Sequence, residues 1–176
     1  MLVSEQRKQL RLRLNHKKEW LFFSCLREVA EQTSFEEMDQ YIQHGHTSCM
    51  FHSYAVAYYS LYVASKFHIR CNERGLVRGA LLHDYFLYDW HENDRSHRFH
   101  GFHHPKRALA NAKRDLELSK IEEDLIKHHM FPLTICPPLC REAMIVCIID
   151  KICSVYELRR RKRYEELFAL WKQQYA

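Results

Sequence analysis

Hydrophobic and polar positions along this chain alternate with a helical period over most of its length. Residues 2–30 mix charged and apolar residues in the manner of one or two surface helices. A further helix is expected from Ser34. Ser34 and Glu37 have the spacing of a capping box, Phe35, Met38, Tyr41 and Ile42 form an apolar face, and Gln43-His44-Gly45 supplies a stop. From Ser48 to Phe67 the chain is apolar and aromatic nearly throughout, which predicts a buried helix. Asn72 is placed to cap the next one, with Leu76, Gly79, Ala80 and His83 on one face at i, i+3, i+4 and i+7. The small pair Gly79-Ala80 would let another helix approach closely.

Between Tyr88 and His104 the periodicity stops. This stretch, rich in His, Asp, Asn, Arg and aromatic residues, reads as a long loop. Pro105 suits the first turn of a helix reaching Leu116. Ser119 and Glu122 form a second capping-box pair, for a helix that ends near His129 and Met130 ahead of Pro132. Pro137-Pro138 are expected to open the last core helix, which carries Ile145, Ile148, Ile149 and Ile152 with Asp150 among them.

Composition narrows the class. The chain has 176 residues, 47% hydrophobic and 28% charged, enough for a packed core and unlike a disordered chain. Gly and Pro number only 4 each, so short loops between helices fit better than strands and tight turns. The expected fold is all-α, one domain over residues 1–176. There are 7 cysteines, an odd count without zinc-finger spacing, and they read as free thiols of a reducing cytoplasm. No signal-peptide core or apolar run of about 20 residues is present, so no membrane association is expected. The net charge of +5 is compatible with an anionic ligand. The basic run Arg159–Arg163 has no interleaved stacking aromatics; it reads as a solvated helix end, and nucleic-acid binding is not expected.

The distinctive chemistry lies in the histidines. Of 13 in the chain, eight fall between His83 and His129. Imidazole nitrogens combined with Asp oxygens suit divalent Fe, Mn, Co, Ni or Zn. Adjacent helical residues point about 100° apart, so His83 and Asp84 can share a site only near a helix end, where Asp84 has two oxygens to offer. Asp150 stands in Ile148-Ile149-Asp150-Lys151-Ile152, where a charge needs an ion-pair partner or a metal. His52, in His52-Ser53-Tyr54-Ala55-Val56-Ala57, taken alone reads as a hydrogen-bonded core histidine rather than a ligand.

In this order, His52, then Gly79-Ala80-Leu81-Leu82-His83-Asp84, then Asp150-Lys151, the motifs resemble the HD superfamily of metal-dependent phosphohydrolases over about residues 45–158. The resemblance implies an HD-type helical bundle with the metal site at its centre, flanked by N-terminal helices over 1–44 and a basic helical segment over 159–176. It implies His52, His83, Asp84 and Asp150 as ligands of one divalent transition metal that activates water for attack on phosphorus. Members with binuclear sites carry extra histidines in the following interval. His104 and His129 resemble these and would hold a second ion bridged by Asp84, with His103 and His128 as the neighbouring alternatives. Asp84, His83 and Lys151 would stand nearest the chemistry. Lys106, Arg107 and Lys151 would meet the phosphate of a small substrate such as a nucleotide, with Lys106 and Arg107 at the N–H groups of a helix starting at Pro105. Tyr88, Trp90, His91 and Arg95 are candidates for a wall or lid.

Some relatives fit less well. Met130-Phe131-Pro132 replaces the Gly-Tyr-Pro of cyclic-di-GMP phosphodiesterases. The chain is short for a deoxynucleotide triphosphohydrolase and has no second domain like that of the alarmone hydrolases. Two rival readings use nearly the same residues: a mixed-valence di-iron HD oxygenase, and a non-catalytic nucleotide sensor. The oligomeric state is not readable from the sequence.

Overall fold

The computed structural model describes residues 14–45, 47–90 and 100–159. Among the described residues six α-helices follow one another: α1 (His16–Gln32), α2 (Cys49–Lys66), α3 (Glu73–Leu82), α4 (His100–Asp115), α5 (Lys120–His128) and α6 (Arg141–Arg159). A short 3-10 helix, Phe35–Gln40, and a small antiparallel hairpin, β1 (Ile42–His44) with β2 (Thr47–Ser48), sit between α1 and α2. The described residues thus form an all-α bundle, as the patterning predicts, with one small hairpin that it does not.

Side-chain caps start several of these helices. Asn15, Ser48 and Asn72 accept the backbone N–H groups of Lys18, Phe51 and Gly75. Ser119 and Glu122 complete a reciprocal capping box at α5. Helix α2 is the centre of the bundle. It buries residues on every face, including His52, Ser53, Val56, Ala57, Tyr58 and Leu61, and is covered by α3, α6, the hairpin and the 3-10 helix. Helix α3 packs on α1, α5 and α6 as well as on α2. A Cβ on Gly79 would lie 2.9 Å from Leu125 Cδ1 and 3.4 Å from the Glu122 backbone. The missing side chain therefore sets how closely α3 and α5 approach.

Four expectations about local structure need correction. The helix from Ser34 is a 3-10 helix followed by a strand, and no capping box forms there. The Ser34 N–H that Glu37 would have to accept is taken by the Tyr85 hydroxyl at 2.7 Å. Gly45 does have positive φ, at 64°, but it turns the hairpin rather than ending a helix. The region 88–104 is not loop throughout, because α4 begins at His100 and holds Pro105 inside it. Proline's fixed φ is compatible with helix, but as the sixth residue of α4 Pro105 lacks the N–H that would bond the Gly101 carbonyl. Residues 91–99 of the expected loop, including His91 and Arg95, and the basic run beyond Arg159 lie outside the described residues. Finally, α6 begins at Arg141 and not at the prolines. Asp124 Oδ2, from α5, accepts the Leu139 and Cys140 N–H groups, both at 2.9 Å, and tethers the approach to α6.

Among the described residues no helix is long and apolar enough to cross a membrane. Replacing Gly79→Val should push α3 and α5 apart. We expect a loss of about 1–3 kcal/mol in unfolding free energy, read from a denaturant midpoint at unchanged m-value.

Candidate metal centre

Five helices or helix ends deliver the clustered side chains. His52 comes from α2 and Asp150 from the middle of α6. His83 caps the C-terminus of α3, and Asp84 follows it where the chain turns. His104 comes from α4, and His129 caps the C-terminus of α5. All six side chains are buried.

The tautomers follow from what each ring touches. His83 Nδ1 donates to the Ala80 carbonyl at 2.7 Å, and His129 Nδ1 donates to the Ile126 carbonyl at 2.8 Å. A carbonyl only accepts, so Nδ1 carries the proton in both rings and Nε2 is left with a lone pair. Both carbonyls belong to the last turn of a helix, where intrahelical partners run out. His52 Nδ1 faces both oxygens of buried Glu157, at 2.9 and 3.0 Å, and so carries a proton too.

The Nε2 atoms turn toward carboxylates and toward one another. His52 Nε2 lies 3.1 Å from Asp150 Oδ1, and His83 Nε2 lies 3.9 Å from the same atom. Asp84 Oδ2 is 3.3 Å from His83 Nε2 and 3.8 Å from His52 Nε2. On its other side, Asp84 Oδ1 is 3.1 Å from His104 Nε2 and 3.5 Å from His129 Nε2, and these two nitrogens are 2.8 Å apart. His83 Nε2 and Asp84 Oδ1 make no hydrogen bond of acceptable geometry although both are buried. Lone pairs facing carboxylate oxygens in a dry site repel unless a cation or a proton lies between them.

Among the described residues two overlapping groups could hold a metal ion: His52 with His83 and Asp150, and His83 with Asp84 and His129. Within each, the donor atoms lie within 4.8 Å of one another. The imidazole and carboxylate set fits a divalent transition metal, and the two orphaned atoms point the same way.

Without metal, protons take the cation's role. Burial disfavours the imidazolium of His52, but Glu157 and Asp150 outweigh it and hold the ring well above 6.5. His83 is likewise raised, against its burial, by Asp84 and Asp150. Burial would raise Asp84, yet His83 and His104 hold it well below the usual carboxylate range. His129 is pushed down to about 3 by burial and by the neighbouring His83 and His104.

Beyond these geometries, a family model described as HD domain matches residues 50–154. The chain belongs to the HD domain family. Members of the HD family bind divalent metals and are generally metal-dependent hydrolases, which agrees with the buried His and Asp groups found here. No match was found among curated proteins, and none among solved structures.

The HD domain brings six of the sequence-predicted residues together and sorts their neighbours. His103 is exposed, whereas His104 is buried in the cluster. His128 turns away and bonds Asp124 Oδ1 at 2.6 Å, so it supports the same carboxylate that tethers the approach to α6. Lys106 is exposed, and two residues past His104 it points about 200° around the helix from it. Arg107 is half-buried on the His104 side, with its guanidinium 4.6 Å from the centre of the Tyr88 ring. The expected anion site at a helix start does not exist there, since the Lys106 and Arg107 N–H groups lie inside α4. Lys151 Nζ donates to the His129 carbonyl at 2.8 Å and the Cys147 carbonyl at 3.1 Å, and lies 3.7 Å from Asp150 Oδ2. Tyr88 and Trp90 pack partly buried against the core.

Two contributors escaped the sequence reading. Glu157 lies two helical turns after Asp150, so its i+7 spacing was a usable signal. Gln43, from β1, donates its amide to Asp84 Oδ2 at 2.6 Å, and nothing local in the sequence announces that contact.

Two outcomes are expected. His129→Ala should weaken metal binding at least about tenfold by calorimetric titration, whereas His128→Ala should lower the melting temperature and leave metal affinity within about twofold. In chelator-treated protein, the stability contributed by His52 and His83 is fully present below pH 6.5 and is lost as pH rises through their raised folded values. His129, Asp84 and Asp150 are deprotonated above pH 6.5 in both folded and unfolded chains. The melting temperature should therefore fall as pH rises above 6.5. A flat or rising profile would show that Glu157 and Asp150 do not hold His52 protonated.

Proposed function

We propose that this protein is a metal-dependent phosphohydrolase acting on a small phosphorylated substrate, with nucleotides foremost among the candidates. The observation that carries the reading is the placement of Asp84, whose two oxygens face two different histidine groups. His52, His83, Asp150 and Asp84 Oδ2 would hold one ion, and His104, His129 and Asp84 Oδ1 a second. A divalent Fe, Mn, Co, Ni or Zn bound there supplies Lewis acidity and lowers the pKa of water toward neutrality.

The chain's own residues would do the rest. The Nδ1 hydrogen bonds of His52, His83 and His129 fix ring orientation before any ligand arrives. Arg107, on the same side of α4 as His104, would meet a substrate phosphate, and Tyr88 limits its rotamers by lying against the guanidinium. Lys151 is a second cation for developing charge, held beside Asp150 by its bonds to two carbonyls. The 7 free cysteines support a reducing cytoplasmic location.

The test is metal analysis of freshly purified protein, then a screen of phosphomonoesters, phosphodiesters and nucleotides with added Mn, Co, Ni, Fe or Zn. Hydrolysis should require the metal, and Asp84→Ala should lower it at least about a hundredfold together with metal content. Full hydrolysis by Asp84→Ala would refute the assignment. Two bound irons with oxygen uptake on adding substrate would favour the oxygenase reading. Tight nucleotide binding without turnover would favour a sensor.

A further inference from the structure

Helix α6 is apolar on both sides. One side carries Val146, Asp150, Cys153 and Glu157 into the bundle. The other exposes Met144 at 40%, Ile148 at 51%, Ile152 at 58% and Val155 at 49%. These four follow one another at i, i+4, i+8 and i+11, a line along one helix face. Among the described residues no other helix carries more than one exposed large hydrophobic side chain. A continuous line of this kind marks a surface that something covers.

The chain itself supplies a matching element. After the basic run Arg159–Arg163, the sequence places Tyr164, Leu167, Phe168, Trp171 and Tyr175 at i, i+3, i+4, i+7 and i+11. Glu165, Glu166, Lys172, Gln173 and Gln174 fall between them. In helical form Tyr164 to Tyr175 has the same length as Met144 to Val155, about 17 Å. Arg160–Arg163 is long enough for the 2–5-residue connection that joins antiparallel helices. A reversal there would set residues 164–175 antiparallel to α6.

The geometry points to residues 164–175 of the same chain as the element that covers the Met144–Val155 face of α6. Docked there, the segment closes the outer side of the helix that carries Asp150 and Glu157. This inference does not depend on the chemistry of the metal centre.

A photoreactive benzophenone amino acid at the exposed position 148 of the full-length protein tests it, with products mapped by mass spectrometry. The cross-link is expected to fall in the peptide 164–175. In a mixture of isotope-labelled and unlabelled protein, each product should carry one label only. Phe168→Asp combined with Trp171→Asp should lower the yield at least about tenfold, with helical circular dichroism of the bundle retained. Mixed-label products, cross-links to α6 of another copy, or no product with the segment would each overturn the assignment.

Discussion

Asp84 is a carboxylate with almost no water around it, and the arrangement of the bundle's centre answers the cost of putting it there. An isolated charge in such a place is prohibitive. Here four imidazoles surround it, with their Nε2 atoms 3.1 to 3.8 Å from its oxygens, and one amide, from Gln43, donates to Oδ2. That leaves Oδ1 to the His104 and His129 side. The hairpin that precedes α2 thus differentiates the two oxygens, and the two histidine groups meet chemically different edges of one side chain.

Orientation of the rings is a by-product of how the helices end. His83 and His129 each occupy a helix C-cap, and each donates its Nδ1 proton to the carbonyl three residues earlier. A group that every helix terminus leaves unsatisfied becomes the anchor that turns Nε2 inward. His52 lies within α2, where carbonyls are already engaged, and takes Glu157 from α6 instead. The stronger acceptor leaves a more basic ring, consistent with the upward shift of His52.

Packing sets the distances that make this possible. Gly79 lets α5 approach α3, which brings the His129 ring against that of His83 with centroids 4.9 Å apart. Asp124 then ties α5 to the segment entering α6, the helix that delivers Asp150. The Tyr85 hydroxyl donates to Asp115 Oδ2, and Asn111 donates to the Tyr85 carbonyl, so α4 and its His104 are fixed to the turn that holds Asp84.

The sequence alone determined the helical class, the helix α2, the caps at Asn72 and Ser119, and the order of residues that carries the family resemblance. These depend on local periodicity, short-range hydrogen bonding and residue type, which a linear reading contains. It misplaced the start of α4, because proline favours the first turn of a helix and Pro105 lies in the second turn of α4. It also mistook the Ser34 segment for an α-helix, because the deciding partner, Tyr85, is 51 residues away. Tertiary structure alone separated His104 from His103 and His129 from His128, since neighbours identical in composition differ only in which way the helix turns them. It alone added Gln43 to the centre, because that contact joins two points 41 residues apart with no shared periodicity.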